Sequence, residues 1–292
     1  MPFSFKTDKG IRYWSKHTVH VESKSFHTRM DSLKYFDWRC SEYPGYLDLM
    51  PVNNKSNLSI LDFGCGPGHD LVGFLEYSKP KNVIAVDVSA KALKIAKKRT
   101  TLHPGGKEIQ FIKSVDSRTL NVQSESIDYI HSSGVLHHIL PMGEVMKELG
   151  RLLKKDGKMR IMVYNRNSIW RQLYCTYVLQ QVEKSIDGSL SPDEAFKRST
   201  DGPDCPISNS YTFDELRKLG ETYKLKAQLI GTSISKHELD IFSRFYDRAM
   251  GSDKIDLEGK QFLSELVNIN GVPTNRDGLV AGINLVVEFS KS

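Results

Sequence analysis

The stretch Ser59-Ile60-Leu61-Asp62-Phe63-Gly64-Cys65-Gly66-Pro67-Gly68 carries an apolar run straight into three glycines at alternate positions. A short apolar run bounded by turn residues reads as a buried strand, and the helical spacing that resumes at His69 makes the glycines a strand-to-helix turn. Glycine lets a backbone turn sharply and approach a ligand closely, while the free N–H groups of the following helix favour an anionic group. A tight turn with no ligand needs the same glycines, so the turn alone does not decide between scaffold and site.

Asp87 sharpens the reading. It ends a second apolar run, Val83-Ile84-Ala85-Val86-Asp87, at about the 20-residue spacing beyond the glycines at which an acid accepts hydrogen bonds from both hydroxyls of a ribose. Its competing use is to cap the helix that Ser89 and Ala90 open. A dinucleotide fingerprint beginning at Gly64 needs glycine at position 69, where the chain has His69. That substitution, with no credible Tyr-x-x-x-Lys or hydride-site motif, disfavours a nicotinamide oxidoreductase.

Further apolar runs at Ile109–Ile112, Ile127–Ile130 and Met159–Tyr164 bring the strands between Asn57 and Asn165 to five. Helices are expected over His69–Tyr77, Ala90–Arg99 and Gly143–Lys154, the last closed by the cationic turn and glycine stop Lys154-Lys155-Asp156-Gly157. Strands alternating with helices predict βα units around a parallel sheet. The tail adds a helix near Phe213–Tyr223, a strand near Leu225–Gly231 and a final strand near Leu279–Phe289. The expected architecture is α/β. An amino-terminal helical cap over residues 1–56 precedes a core over 57–292, with cap insertions at about 166–210, after the fifth strand, and 234–278.

Composition narrows the classes. The 292 residues are 39% hydrophobic and 26% charged, the balance of an ordinary globular chain. The net charge of +6 is spread among nearly as many acids. Its densest basic cluster, Lys91 to Arg99, reads as a solvated helix face rather than a nucleic-acid footprint. Cys40, Cys65, Cys175 and Cys205 form no C-x-x-C pair, so no metal site is expected and a reducing, cytoplasmic setting fits. The apolar stretch around Ile169–Val182 is interrupted by Arg171 and three glutamines, so membrane insertion is not expected.

Together, Asp62-Phe63-Gly64-Cys65-Gly66-Pro67-Gly68, Val86-Asp87-Val88-Ser89, Val115-Asp116-Ser117 and Asp128-Tyr129-Ile130-His131-Ser132-Ser133-Gly134-Val135-Leu136-His137-His138-Ile139 resemble a class I (Rossmann-like) S-adenosylmethionine-dependent methyltransferase. The similar group includes the ubiquinone and menaquinone biosynthesis enzymes. Leu152-Leu153-Lys154-Lys155-Asp156-Gly157-Lys158 departs from the group's turn, with Lys155 and Asp156 replacing its proline and first glycine. The resemblance implies a doubly wound, mostly parallel seven-stranded sheet and S-adenosylmethionine as cofactor. It implies that Asp62, Gly64, Cys65, Gly66 and Gly68 surround the methionine part, that Asp87 and Val88 meet the ribose, that Asp116 and Ser117 face the adenine amine, and that Ser133 and Gly134 border the sulfonium.

Methyl transfer from a sulfonium needs mainly positioning, and a base only where the acceptor loses a proton. His137 and His138 are the candidate bases, with His138 preferred, against the alternative that both merely line the cofactor pocket. His131, on the strand itself, reads as a core histidine. Tyr13, Trp14, Tyr35 and Trp38 are candidate acceptor contacts or core aromatics, and Arg39 is a candidate for a carboxylate or for a surface ion pair. The expected acceptor is a small molecule methylated at O, N or C. A nucleic-acid acceptor is disfavoured because the strand-four exit lacks an acid/asparagine-Pro-Pro-aromatic string. RNA or protein acceptors and a non-catalytic cofactor-binding scaffold remain the rivals, and the sequence does not give the oligomeric state.

Overall fold

A computed structural model describes residues 5–18, 26–116 and 118–292. Three helices come first: α1 (Phe5–Lys16), α2 (Arg29–Ser41) and the single turn α3 (Tyr46–Leu49). Thr28 and Asp31 form a reciprocal capping box that fixes where α2 begins, a device that satisfies two otherwise unpaired N–H groups.

Strand β1 (Ser59–Phe63) is buried at every residue, as a strand covered on both faces must be. It leads through the glycine turn into α4 (His69–Tyr77), then β2 (Asn82–Asp87), α5 (Ala90–Thr100), β3 (Gln110–Lys113) and β4 (Ile127–Ser133). Ser89 caps α5 by accepting from the Ala92 N–H. The remaining core units are α6 (Met142–Leu152) and β5 (Leu153–Asn165), then a π-type helix over Trp170–Val182, α7 (Pro192–Ser199) and the two-residue strand β6 (Ser210–Tyr211). After them come α8 (Phe213–Thr222), β7 (Leu225–Ser233), α9 (Lys236–Met250), α10 (Leu257–Ser264), the hairpin β8 (Val267–Ile269) and β9 (Val272–Thr274), and β10 (Asn284–Lys291).

Seven strands run in the order β3-β2-β1-β4-β5-β10-β7, with β6 paired beside β5. β1, β2, β3, β4 and β5 are mutually parallel, and β10 is antiparallel to both of its neighbours. The doubly wound, mostly parallel sheet is therefore as expected. Leu149, Leu152, Leu216 and Phe289 pack on one face, and Phe36, Leu71, Phe74 and Ala96 on the other. The strand order reverses at β1, which places the crevice at the carboxyl ends of β1 and β4. Among the described residues no helix is long and apolar enough to cross a membrane.

Two local expectations are corrected. α6 ends at Leu152 and β5 begins at Leu153, so Lys154–Gly157 is not the end of a helix. Those residues bulge where the pairing jumps from Ile127–Leu153 to Tyr129–Lys158. Gly157 is needed there for space, because a Cβ would lie 3.0 Å from the Ile127 carbonyl oxygen. The last strand starts at Asn284 rather than Leu279, since Val280 bridges to Thr274 at the end of the hairpin. Helix α7, within 166–210, was not foreseen. Its start is nonetheless written in Ser191-Pro192, a capping serine followed by proline at the first helical position.

Candidate active site

The three glycines differ in what requires them. Gly64 has φ +78°, and a Cβ there would fall 2.3 Å from Val135 Cγ2. Gly68 has φ +80°, caps α4 and would bring a Cβ to 3.2 Å from Ala96. Both are explained by the fold. Gly66 has φ +51° but nothing within 4 Å of its would-be Cβ. Its bare backbone faces a cavity of about 620 Å³ that opens at the carboxyl edge of the sheet.

Asp87 holds that turn open. Its Oδ2 accepts the Gly66 N–H at 2.8 Å and its Oδ1 accepts the Ser89 N–H at 2.8 Å. Burial raises its carboxyl above the ordinary value, and the backbone donors of Ser89 and Gly66 oppose that rise. Each oxygen keeps a lone pair for a further donor.

Beside the turn lies a buried acid cluster. Asp62 Oδ2 has no partner, and burial pushes this carboxyl up to about 7, although the neighbouring His131 and Arg39 pull the other way. Asp70, in the first turn of α4, accepts from Tyr46 Oη at 2.9 Å and pairs with His131 Nε2 at 3.0 Å through the same Oδ2. Burial would raise Asp70, but His131 and Arg39 outweigh it and hold the group well below the usual carboxylate range. Asp70 Oδ1 is buried without a partner. The guanidinium of Arg39 sits 5.5 Å from the Tyr46 ring centre, and Tyr46 Oη is also 3.0 Å from Ser133 Oγ at the end of β4.

Of the residues singled out from the sequence, Asp62, Gly64, Cys65, Gly66, Asp87, Val88, Ser133, Gly134, His138, Tyr13, Trp14 and Arg39 line this cavity. Others are not on its wall. Gly68 lies behind the turn, and Asp116 is paired with Arg118 Nε at 2.8 Å, while Ser114 is the lining residue beyond β3. Ser117 lies outside the described residues. Tyr35 packs on Phe26 and His69, and Trp38 is 46% exposed. His137 is fully buried and stacked on Tyr164 at 3.8 Å. Burial, with His138 beside it, holds its imidazole well below the ordinary value.

His138 does reach the cavity. Its Nδ1 is 2.6 Å from the Ile207 carbonyl oxygen, which can only accept, so Nδ1 carries the proton. Its Nε2 is 3.5 Å from Asp201 Oδ2. Burial lowers the imidazole pKa and the Asp201 carboxylate opposes it. Cys205 joins the pair within metal-ligand range, but its thiol, pushed up to about 11 by burial, donates to the same Ile207 carbonyl. This is a hydrogen-bonded set. Asp201, Tyr164, Trp170, Tyr43 and Asp70 line the cavity and were not foreseen. Asp201 sits in a polar loop whose spacing carries no motif, whereas Asp70 had one visible cue, an acid in the first turn of a helix behind the glycines.

A sheet of this order, with a bare glycine and a ribose-spaced acid at its carboxyl edge, defines a Rossmann-like nucleoside-binding protein. The profile described as a methyltransferase domain matches residues 36–198, and the chain belongs to that family, the S-adenosylmethionine-dependent methyltransferases. It is 32% identical over 120 residues (38% of this chain, 42% of the relative) to an uncharacterised methyltransferase of Schizosaccharomyces pombe. It is 33% identical over 103 residues (35% of this chain, 42% of the relative) to a demethylmenaquinone methyltransferase of Lactobacillus johnsonii. The matches thus span less than half the length of these relatives. In fold it is similar to geranyl diphosphate C-methyltransferase of Streptomyces coelicolor, with a TM-score of 0.53, 12% identity and 100% of both chains covered.

The wall fits the family's cofactor. The orphaned Asp62 and Asp70 oxygens suit an ammonium, the Arg39 guanidinium suits a carboxylate, Gly66 leaves room for the chain between them, and the spare lone pairs of Asp87 suit two ribose hydroxyls.

Proposed function

We propose that the protein transfers the methyl group of S-adenosylmethionine to a small-molecule acceptor held in the same cavity. The observation that carries this reading is that one continuous cavity joins the glycine turn and Asp87 to an aromatic chamber walled by Tyr13, Trp14, Tyr164 and Trp170. When bound, the cofactor supplies an electrophilic methyl on a sulfonium. The chain's own work is to hold the methionine end with Asp62, Asp70 and Arg39, to fix the ribose with Asp87, and to exclude water with the aromatic wall. Ser133 and Gly134, at the carboxyl end of β4, border the space between the two halves. His138 is the proton acceptor at the acceptor end, since it alone of the two adjacent histidines reaches the cavity.

Residues 1–56 and 166–210 act as caps in this reading. α1 contributes Tyr13 and Trp14, and the loop after α7 contributes Thr200, Asp201 and Ile207. A cavity of about 620 Å³ walled by aromatic side chains suits a small molecule rather than a polymer. Calorimetric titration with S-adenosylmethionine and S-adenosylhomocysteine, against NAD as control, tests the reading. Saturable binding of the first two and none of NAD is expected, and a chain that binds neither sulfur nucleoside would sink it.

A further inference from the structure

The charges on the cavity wall are unevenly matched. Among the described lining residues there are four carboxylates, Asp62, Asp70, Asp87 and Asp201, and one guanidinium, Arg39. Arg39 lies over Tyr46 and beside Asp70, and Asp62 and Asp87 flank the glycine turn. Asp201 stands apart, in the aromatic chamber. Its side chain is 12% exposed, and among the described residues no lysine or arginine pairs with it. Its Oδ2 accepts from Tyr164 Oη at 3.0 Å and from Ser208 Oγ at 3.4 Å, while Tyr13 donates to its backbone carbonyl. A carboxylate removed from water without a counter-charge is costly, so such a group is normally matched by a cation.

We propose that the acceptor is a cationic amine, its ammonium seated between Asp201 Oδ2 and His138 Nε2 and its carbon body held by Trp14, Tyr13, Tyr164 and Trp170. The proposal rests on the methyltransferase reading and narrows it to N-methylation. With Nδ1 committed as donor to Ile207, neutral His138 presents a lone pair at Nε2, only 3.5 Å from another acceptor. Two acceptors so placed repel unless a donor lies between them, and one ammonium can donate to both. The groups facing His138 are Asp201, the Cys205 thiol at 4.0 Å, the His137 ring at 4.1 Å, Trp14 at 4.7 Å and Tyr164. Of these only Asp201 is a carboxylate, and aromatic faces add attraction for a cation. A carboxylate or phosphate acceptor would meet Asp201 with no lysine or arginine paired to it among the described residues.

The chemistry balances. The ammonium gives a proton to His138 Nε2, and the freed nitrogen lone pair forms the N–C bond to the methyl carbon. The C–S bond breaks with its electron pair left on sulfur. The products are the N-methyl ammonium, S-adenosylhomocysteine and an imidazolium that returns its proton to solvent.

The test uses the protein loaded with S-adenosylhomocysteine and titrated by calorimetry with benzylamine, benzyl alcohol and benzoate, three probes of one shape and different charge. Benzylamine is expected to bind at least tenfold more tightly than the alcohol, with no uptake of benzoate. Asp201→Asn should erase that preference while leaving S-adenosylhomocysteine affinity within twofold. A preference for alcohol or benzoate, equal or absent binding of all three, or an amine preference untouched in Asp201→Asn overturns the proposal. The ranking on the unmodified protein stands even if the variant does not fold. Failure to bind S-adenosylhomocysteine in the first place would instead overturn the methyltransferase reading.

Discussion

At the scale of single residues, the site separates side chains that shape the turn from those free to meet a ligand. Asp87 does both, so its two roles need different substitutions. Asp87→Ala removes the ribose acceptor together with the anchor of the Gly66 N–H, and should weaken S-adenosylhomocysteine by about 1.5–3 kcal/mol, roughly 10–150-fold. Unchanged affinity in the folded variant rules out the ribose role. Gly66 and Gly64 form a second contrast. Gly66→Val should abolish binding because its side chain enters the open cavity, at a cost in stability set by its φ of +51° alone, whereas Gly64→Ala should lower the melting temperature through its collision with Val135 as well as its φ of +78°. If Gly66→Val binds normally, the bare backbone is not the cradle.

Asp62 makes a prediction in protons. Its carboxyl, raised to about 7 by burial, is partly protonated near neutrality. An ammonium brought against it favours the ionised form, so binding should release protons at pH 6–7 and weaken as pH falls below about 7. Calorimetry in phosphate and Tris buffers reads the release directly from the difference in apparent enthalpy. Equal enthalpies, or the same difference in Asp62→Asn, would remove Asp62 from the ammonium site.

At the scale of elements, α1 meets both the turn after β4 and the segment from Trp170 to Ile207 at the cavity: Trp14 of α1 lies 4.7 Å from His138, and Tyr13 donates to the Asp201 carbonyl. These contacts are few beside those of the sheet, so amide exchange in α1 and in the loop after α7 should slow when S-adenosylhomocysteine binds, while β1 and β4 stay protected throughout. Identical exchange with and without ligand would leave the caps as fixed walls. The sheet was legible in the sequence because β1, β2 and β4 are continuous apolar runs and α4 and α5 carry helical spacing behind recognisable caps. The bulge at Lys154–Gly157 was misread because a glycine after lysines looks the same whether it ends a helix or makes room for Ile127. That Gly66 and Asp87 meet at one wall of the cavity was legible for a related reason: they act through local backbone geometry at a fixed spacing. The wall around Asp201 was not, since Asp201 reaches His138 across 63 positions of sequence, and only tertiary packing shows that His137 turns inward while His138 turns to the cavity.

At the scale of the whole molecule, buried titratable groups oppose one another across the neutral range. Glu238 is fully buried in the capping box of α9, with Oε1 unpartnered, and burial raises its carboxyl to about 7. An acid whose folded pKa is raised gives stability that is fully present below the ordinary carboxyl value of about 4.3 and is lost as pH rises through the folded value. His137 acts in the other direction: its folded pKa is lowered, so its contribution is intact above about 6.5 and is lost as pH falls below that. The total profile hides both terms, but differences expose them. The melting temperature of Glu238→Gln minus that of the parent should grow by a few degrees as pH rises from 5 to 8, because the amide mimics the neutral acid at every pH. The same difference for His137→Phe, which keeps a ring against Tyr164, should grow as pH falls from 7 to 5. Melting curves of the two variants and the parent at four pH values decide the matter. A pH-independent difference for either variant would show that its buried group does not titrate across the range assigned to it.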